Sequence, residues 1–209
     1  EGGTAAMCYI FKSMKTNRLL NAGDTIALGT PIFTPYLEMP HLEDYDLKIV
    51  NIQSTQENRW QFDDAELDKL LDPKIKAFFL VNPGNPSAVA LSAKTIAKIG
   101  AIIKKRPDLI LLTDDVYGTF VPGFRSLLGA YPYNTIGVYS YSKYFGCTGW
   151  RLGVIAVHED NLFDKLIAQH PETVQKKLDK RYSALTLEPR KMRFIDRIVA
   201  DSRDVALNH

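Results

Sequence analysis

The sequence predicts an α/β fold, a mostly parallel sheet flanked by helices. Helix-like and strand-like segments alternate along the chain, and such alternation is the mark of strands joined by covering helices. Ala77-Phe78-Phe79-Leu80-Val81 is apolar at every position, as a strand buried on both faces must be. Asn85, Asp114 and Lys143 fall at or just past the C-terminal ends of predicted strands, the edge where open α/β sheets bind ligands.

Taken in order, residues 4 to about 20 follow a Gly-Gly turn with helical composition, and Asn21-Ala22-Gly23-Asp24 ends that segment. Thr25 to Leu28 and Leu47 to Ile52 read as short strands. Asp63 is placed to cap a helix carrying Ala65, Leu67, Leu70 and Leu71. The strand at 77–81 stops at Asn82-Pro83-Gly84-Asn85-Pro86, which can continue neither strand nor helix. Ser92 then caps a helix whose Ile96, Ile99 and Ile103 recur at helical spacing. Leu109 to Thr113, Thr135 to Tyr139 and Leu152 to Val157 are the remaining strands. From Glu159 to Asn208-His209 the pattern is helical and increasingly polar.

Composition narrows the function classes. Of 209 residues 45% are hydrophobic and 24% charged, a globular balance with enough apolar material for one large core or two small ones. Basic and acidic residues number 26 and 24, so the net charge of +2 gives no footprint for nucleic acid or a membrane surface. The runs Lys104-Lys105-Arg106 and Lys176-Lys177 read as solvated helix faces. Cys8 and Cys147 form no disulfide framework and no metal set, which fits a reducing cytoplasm. No signal peptide or membrane-length apolar run is visible. The opening at Glu1-Gly2-Gly3-Thr4, without Met, reads as a piece of a longer polypeptide.

Certain residues carry chemistry. Gly2-Gly3-Thr4 before a helix offers backbone N–H groups, a positive helix end and a hydroxyl to a phosphate. Ser140-Tyr141-Ser142-Lys143 followed by Arg151 adds hydroxyls and a fork-shaped guanidinium, with Gly149 and Gly153 around it. A lysine desolvated among such groups loses its proton readily and becomes both nucleophile and base. The Gly-rich fingerprint of a plain nucleotide-binding α/β protein is missing.

These stretches, with Pro31-Ile32-Phe33, Asn85-Pro86 and Asp114-Asp115-Val116-Tyr117, resemble the fold-type-I pyridoxal-phosphate enzymes of the aspartate aminotransferase group. They stand in the family's order across roughly residues 1 to 157. The resemblance implies that residues 1–209 are the large cofactor-binding domain, with 158–209 its mainly helical part. It implies pyridoxal 5′-phosphate as cofactor, a Schiff base on Lys143, and Asp114 paired with the ring nitrogen. Tyr117 and Asn85 would donate to the ring's phenolate oxygen and Phe33 would stack on its face. Gly3, Thr4, Ser140, Ser142 and Arg151 would hold the phosphate.

Ala88 stands where many relatives carry glycine. The arginine that grips the substrate's α-carboxylate matches none of Arg181, Arg190, Arg193, Arg197 or Arg203, and is expected outside this chain. The wording of residues 112–120 and 139–153 resembles bacterial aspartate 4-decarboxylases that also act as aspartate aminotransferases. L-Aspartate, a 2-oxo acid and other copies of the chain in a homo-oligomer are the implied partners. A plain aminotransferase and a non-catalytic cofactor-sensing module are the alternatives.

Overall fold

In a computed structural model that describes residues 2–42 and 45–203, the alternation becomes one six-stranded sheet. Its strands are β1 (Thr25–Thr30), β2 (Lys48–Gln53), β3 (Ile75–Val81), β4 (Ile110–Asp114), β5 (Thr135–Ser140) and β6 (Gly153–Val157). The spatial order is β2-β1-β3-β4-β5-β6, all neighbours parallel except the β5–β6 pair. In sequence order the sheet grows outward in both directions from the β1–β3 pair, and the crevice at such a switch point is where ligands bind.

The helices divide between the faces. One face carries α1 (Gly2–Thr16), α2 (Thr34–Glu38), α6 (Leu162–Ala168), α7 (Glu172–Tyr182) and α8 (Phe194–Ser202). The other carries α3 (Asp64–Asp68), α4 (Ala93–Lys105) and α5 (Leu127–Ala130). From Ala77 onward strand β3 serves both cores by alternation: Ala77, Phe79 and Val81 enter the first, Phe78 and Leu80 the second, and Ile75, before a register shift against β1, joins the second. Ser92 caps α4 by accepting from the Thr95 N–H at 3.1 Å, and Ile96, Ile99 and Ile102 are its buried stripe, with Ile103 packed beside them. Each fully buried isoleucine contributes on the order of 2 kcal/mol.

Several expectations need correction. Gly2 and Gly3 form the first turn of α1 itself and not a turn before it. Asp63 occupies the N-cap of α3 but makes no side-chain capping bond, its carbonyl alone accepting from Leu67 N. Arg106 is no solvated residue. It is buried at the end of α4, donating to the carbonyls of Leu70, Asp72 and Ile75 and pairing with Asp108 at 2.7 Å. Its planar fork satisfies several backbone acceptors at once, which no lysine can match. Ala88 adopts φ 57°, a left-handed conformation that costs a side chain about 1 kcal/mol and that glycine takes freely. The end of the polar helical pattern at Asn208-His209 lies outside the described residues.

The late arginines have structural work. Asp201 on α8 is fully buried and accepts from Ser13 on α1 at 2.6 Å and from Tyr182 on α7 at 2.9 Å. Arg181 pairs with its other oxygen at 2.8 Å. Arg197, only 1% exposed, lies over the Tyr182 ring at 4.7 Å and donates to Asn17 at 3.0 Å. This polar knot joins α1, α7 and α8. Removing one partner of a buried charge network strands the others, so Asp201→Ala is expected to lower the unfolding free energy by about 3 kcal/mol or more. Urea denaturation followed by circular dichroism measures it.

Candidate active site

The C-terminal edge of the sheet delivers one loop per strand to a common crevice. Phe33 and Tyr36 come from the segment after β1, and Asn85 from the turn after β3. Asp114 ends β4 and Tyr117 follows it, while Ser140 ends β5 with Ser142 and Lys143 beyond. Because β6 runs antiparallel, it begins at this same edge, and Arg151 stands just before it. All ten residues named from the sequence line one cavity of about 190 Å³: Gly3, Thr4, Phe33, Asn85 and Asp114 with Tyr117, Ser140, Ser142, Lys143 and Arg151.

At one end the donors are packed for an anion. Gly3 and Thr4, in the first turn of α1, line the cavity, so the positive end of that helix stands beside it. Gly2 N donates to Arg151 O at 3.0 Å, and a Cβ at Gly2 would stand 2.6 Å from the Arg151 guanidinium. A Cβ at Gly153 would meet the Gly2 carbonyl carbon at 2.9 Å, and Gly2 itself has φ 80°, so both positions favour glycine. Ser140 and Ser142 are buried and share a hydroxyl–hydroxyl bond at 3.0 Å. Arg151 itself has φ 51°, a strained left-handed conformation of the kind that gathers at functional sites.

At the other end lies Asp114, 5% exposed. It accepts from Tyr36 Oη at 2.7 Å and from Val116 N at 3.1 Å. Burial pushes its carboxyl above the ordinary range, while these two bonds pull it back down. Tyr36 is held protonated far above its usual range by burial and then by the Asp114 charge, so it serves as a fixed donor. Asn85 Nδ2 donates to Tyr117 Oη at 3.3 Å. Phe33 is 36% exposed and stands edge-on to Tyr36 at 5.3 Å.

Asp115 faces the other way. It accepts from Thr113 Oγ1 at 2.6 Å and from Ser126 Oγ, and it lines a separate groove. Lys143 differs from expectation, being exposed and not desolvated. It follows β5 in a turn whose next residues, Tyr144 to Gly146, are also exposed, so no element among the described residues roofs it. Tyr36, Val81, Val116 and Thr148 line the cavity without having been singled out from the sequence. Only Tyr36 gave a signal: it stands three residues after Phe33, one helical turn further on.

A phosphate cradle and a buried carboxylate at the strand ends of a mostly parallel sheet define a phosphorylated-cofactor enzyme of the α/β class. The sequence matches the family described as Aminotransferase class I and II over residues 2–184, and the chain belongs to that family. A bifunctional aspartate aminotransferase and L-aspartate beta-decarboxylase from a Pseudomonas species is 57% identical over 210 residues. That match takes in 100% of this chain and 40% of the relative. An aspartate aminotransferase of Pyrococcus abyssi is 32% identical over 149 residues, 68% of this chain and 37% of its own. A tetra mutant of Thermus thermophilus aspartate aminotransferase has the same fold, with a TM-score of 0.66 at 18% identity, over 96% of this chain and 49% of its own. Cystalysin from Treponema denticola, a structure containing pyridoxal 5′-phosphate, gives a TM-score of 0.63 at 18% identity over 98% of this chain and 49% of its own. The chain thus spans 40% or less of the length of these curated relatives.

Pyridoxal 5′-phosphate is the cofactor of this family, and the donor set fits it. The hydroxyls, helix end and guanidinium match a phosphate, and the buried carboxylate matches a protonated ring nitrogen.

Two measurements follow from this geometry. Tyr36→Phe removes a donor from a buried carboxylate, and the intact protein is expected to bind pyridoxal phosphate about tenfold more weakly by absorbance titration. Burial pushes the Asp115 carboxyl up to about 6, with the Asp114 charge adding to it and the Ser126 and Thr113 bonds opposing it. The folded state therefore holds that proton more tightly than the unfolded state. Its contribution to stability is complete below about pH 4 and is lost as pH rises towards 6. In cofactor-free protein, Asp115→Asn should remove that fall, about 3 kcal/mol, from a stability–pH profile.

Proposed function

We propose that the intact protein converts L-aspartate to L-alanine and carbon dioxide and also acts as an aspartate aminotransferase, using pyridoxal phosphate in the cavity at the strand ends. The observation that carries this reading is the 57% identity across the whole chain to an enzyme named for both activities, against about 30% for the plain aminotransferases.

When bound, the cofactor supplies an aldehyde for covalent attachment and a ring that accepts the electrons released at the substrate's Cα. Lys143 is the residue that attaches it and then moves the Cα proton. Asp114 holds the ring nitrogen's proton: a buried carboxylate gains more from a cationic N–H partner than an exposed one does, and Tyr36 keeps it aimed. Tyr117, joined to Asn85, donates to the ring's phenolic oxygen, and Phe33 lies against the ring face. Gly3, Thr4, Ser140, Ser142 and Arg151 fix the phosphate, so the reacting end is placed by contacts remote from the chemistry.

We read residues 1–209 as the large cofactor-binding domain, with residues 158–209 its helical part. The small domain and the arginine for the substrate's α-carboxylate belong to the rest of the protein. Exposed Tyr144, Phe145 and Trp150 flank the site, and Trp150 at 78% exposure supports a homo-oligomer that covers them. The chain by itself is accordingly inactive in this reading.

The deciding assay supplies the intact protein with pyridoxal phosphate and L-aspartate and follows alanine and carbon dioxide against oxaloacetate. Alanine with stoichiometric carbon dioxide is the expected main product. Oxaloacetate alone, formed only with a 2-oxo acid acceptor, would leave a plain aminotransferase. Lys143→Ala is expected to lower kcat by about 10⁴-fold or more, and substantial turnover in that variant refutes the assignment of roles.

A further inference from the structure

Asn82 is a buried side chain at the strand ends that the proposed chemistry does not use. It follows the last residue of β3, is 1% exposed, and does not line the cavity. Its backbone N–H donates to Asp114 O at 2.9 Å, which carries the β3–β4 ladder one rung past the strand. Its Oδ1 accepts from Leu91 N at 3.0 Å, nine positions on. Its Nδ2 is buried and has no hydrogen-bond partner among the described residues. Burying an amide donor without a partner is unfavourable, so an apolar residue would serve packing better here. What the asparagine adds is its oxygen.

That oxygen closes a loop. Between the two ends of the clip the chain turns back on itself, Gly84 N donating to Val89 O at 2.9 Å and Ala88 N to Gly84 O at 2.8 Å. Asn85 sits in this turn, with its Nδ2 donating to Tyr117 Oη at 3.3 Å. Gln61 ties the far end from outside, donating to Ala90 O at 3.0 Å and accepting from Ser92 N at 2.8 Å. Leu91, on which the clip closes, is held between those two. Pro83 and Pro86 fix φ on either side of Gly84-Asn85, so the placement of Asn85 follows from how the loop's ends are tied. Placement matters there, because a hydrogen bond weakens steeply once its angle is lost. A donor on a phenolic oxygen favours the ionised form only while it points at that oxygen.

Resting on the reading above, in which Asn85 and Tyr117 serve the ring's phenolic oxygen, we infer that Asn82 is a positioning residue for Asn85. Through Oδ1 and the Leu91 N–H it clips the 82–91 loop shut, and it acts on the cofactor only through the residue that the loop carries.

The test is a pH titration of the bound cofactor's visible absorbance in the intact holoenzyme. Asn85→Ala is expected to raise the midpoint by about one pH unit, because a phenolic oxygen with one donor fewer ionises less readily. Asn82→Ala should raise it by about half a unit. The double variant should shift no further than Asn85→Ala alone, since a residue that acts only through another adds nothing once the other is gone. Gln61→Ala loosens the same loop from outside the cavity, should move the midpoint in the same direction, and decides the question where Asn82→Ala does not fold. An unmoved midpoint in the deciding variant overturns the inference, as does a double-variant shift equal to the sum of the single ones; either result leaves the reading of the site standing. If Asn85→Ala itself leaves the midpoint unmoved, the role given to Asn85 is refuted and the inference falls with it.

Discussion

The site depends on one close approach of backbone to backbone. Gly2 lies against Gly153 and donates to the carbonyl of Arg151, and this contact seats the positive end of α1 over the strands. A side chain at Gly153 would meet the Gly2 backbone and push the helix away from Ser140 and Asp114, which lie within 4 Å of where a Gly3 side chain would start. The antiparallel run of β6 makes the contact possible, because a parallel sixth strand would start at the opposite edge. At the far end of α1, the knot around Asp201 holds the same helix against α7 and α8. The helix is thus fixed at both ends by different physics, steric fit at one and satisfied polar groups at the other.

Much of this was legible in the sequence because the sheet leaves clear marks. Continuous apolar runs mark strands buried on two faces, and the punctuation at 82–86 and 114–117 marks where they stop. Strand ends converge by geometry, so residues scattered over the chain could be expected in one crevice. What was illegible depended on partners distant in sequence. Arg106 reads as the third member of a basic run until the carbonyls of Leu70, Asp72 and Ile75 are seen around it. Arg197 reads as one of several late arginines, yet it is core because Tyr182 and Asn17 wait for it. Tyr36 belongs to a short helix with an ordinary sequence, and only the fold brings it to Asp114 across 78 positions. The exposure of Lys143 was equally hidden, since no local pattern says whether another element will cover a turn.

Asp114 and Asp115 show how adjacent identical residues acquire different fates. Strand alternation turns one carboxylate to the cavity that Gly3 and Arg151 line and the other to the opposite face. Each is buried, and each answers with its own donors: Tyr36 and the Val116 N–H for one, Ser126 and Thr113 for the other. The sequence motif sees a pair, whereas the fold makes one an open port and closes the other into the structure.

The cavity draws on residues from Gly3 to Arg151, with every parallel strand but edge strand β2 placing a residue between them. No contiguous portion holds more than part of the cradle. A ligand held by all of these loops at once would bind the completed sheet and not a part of it, and its binding energy would add to the stability of the finished fold.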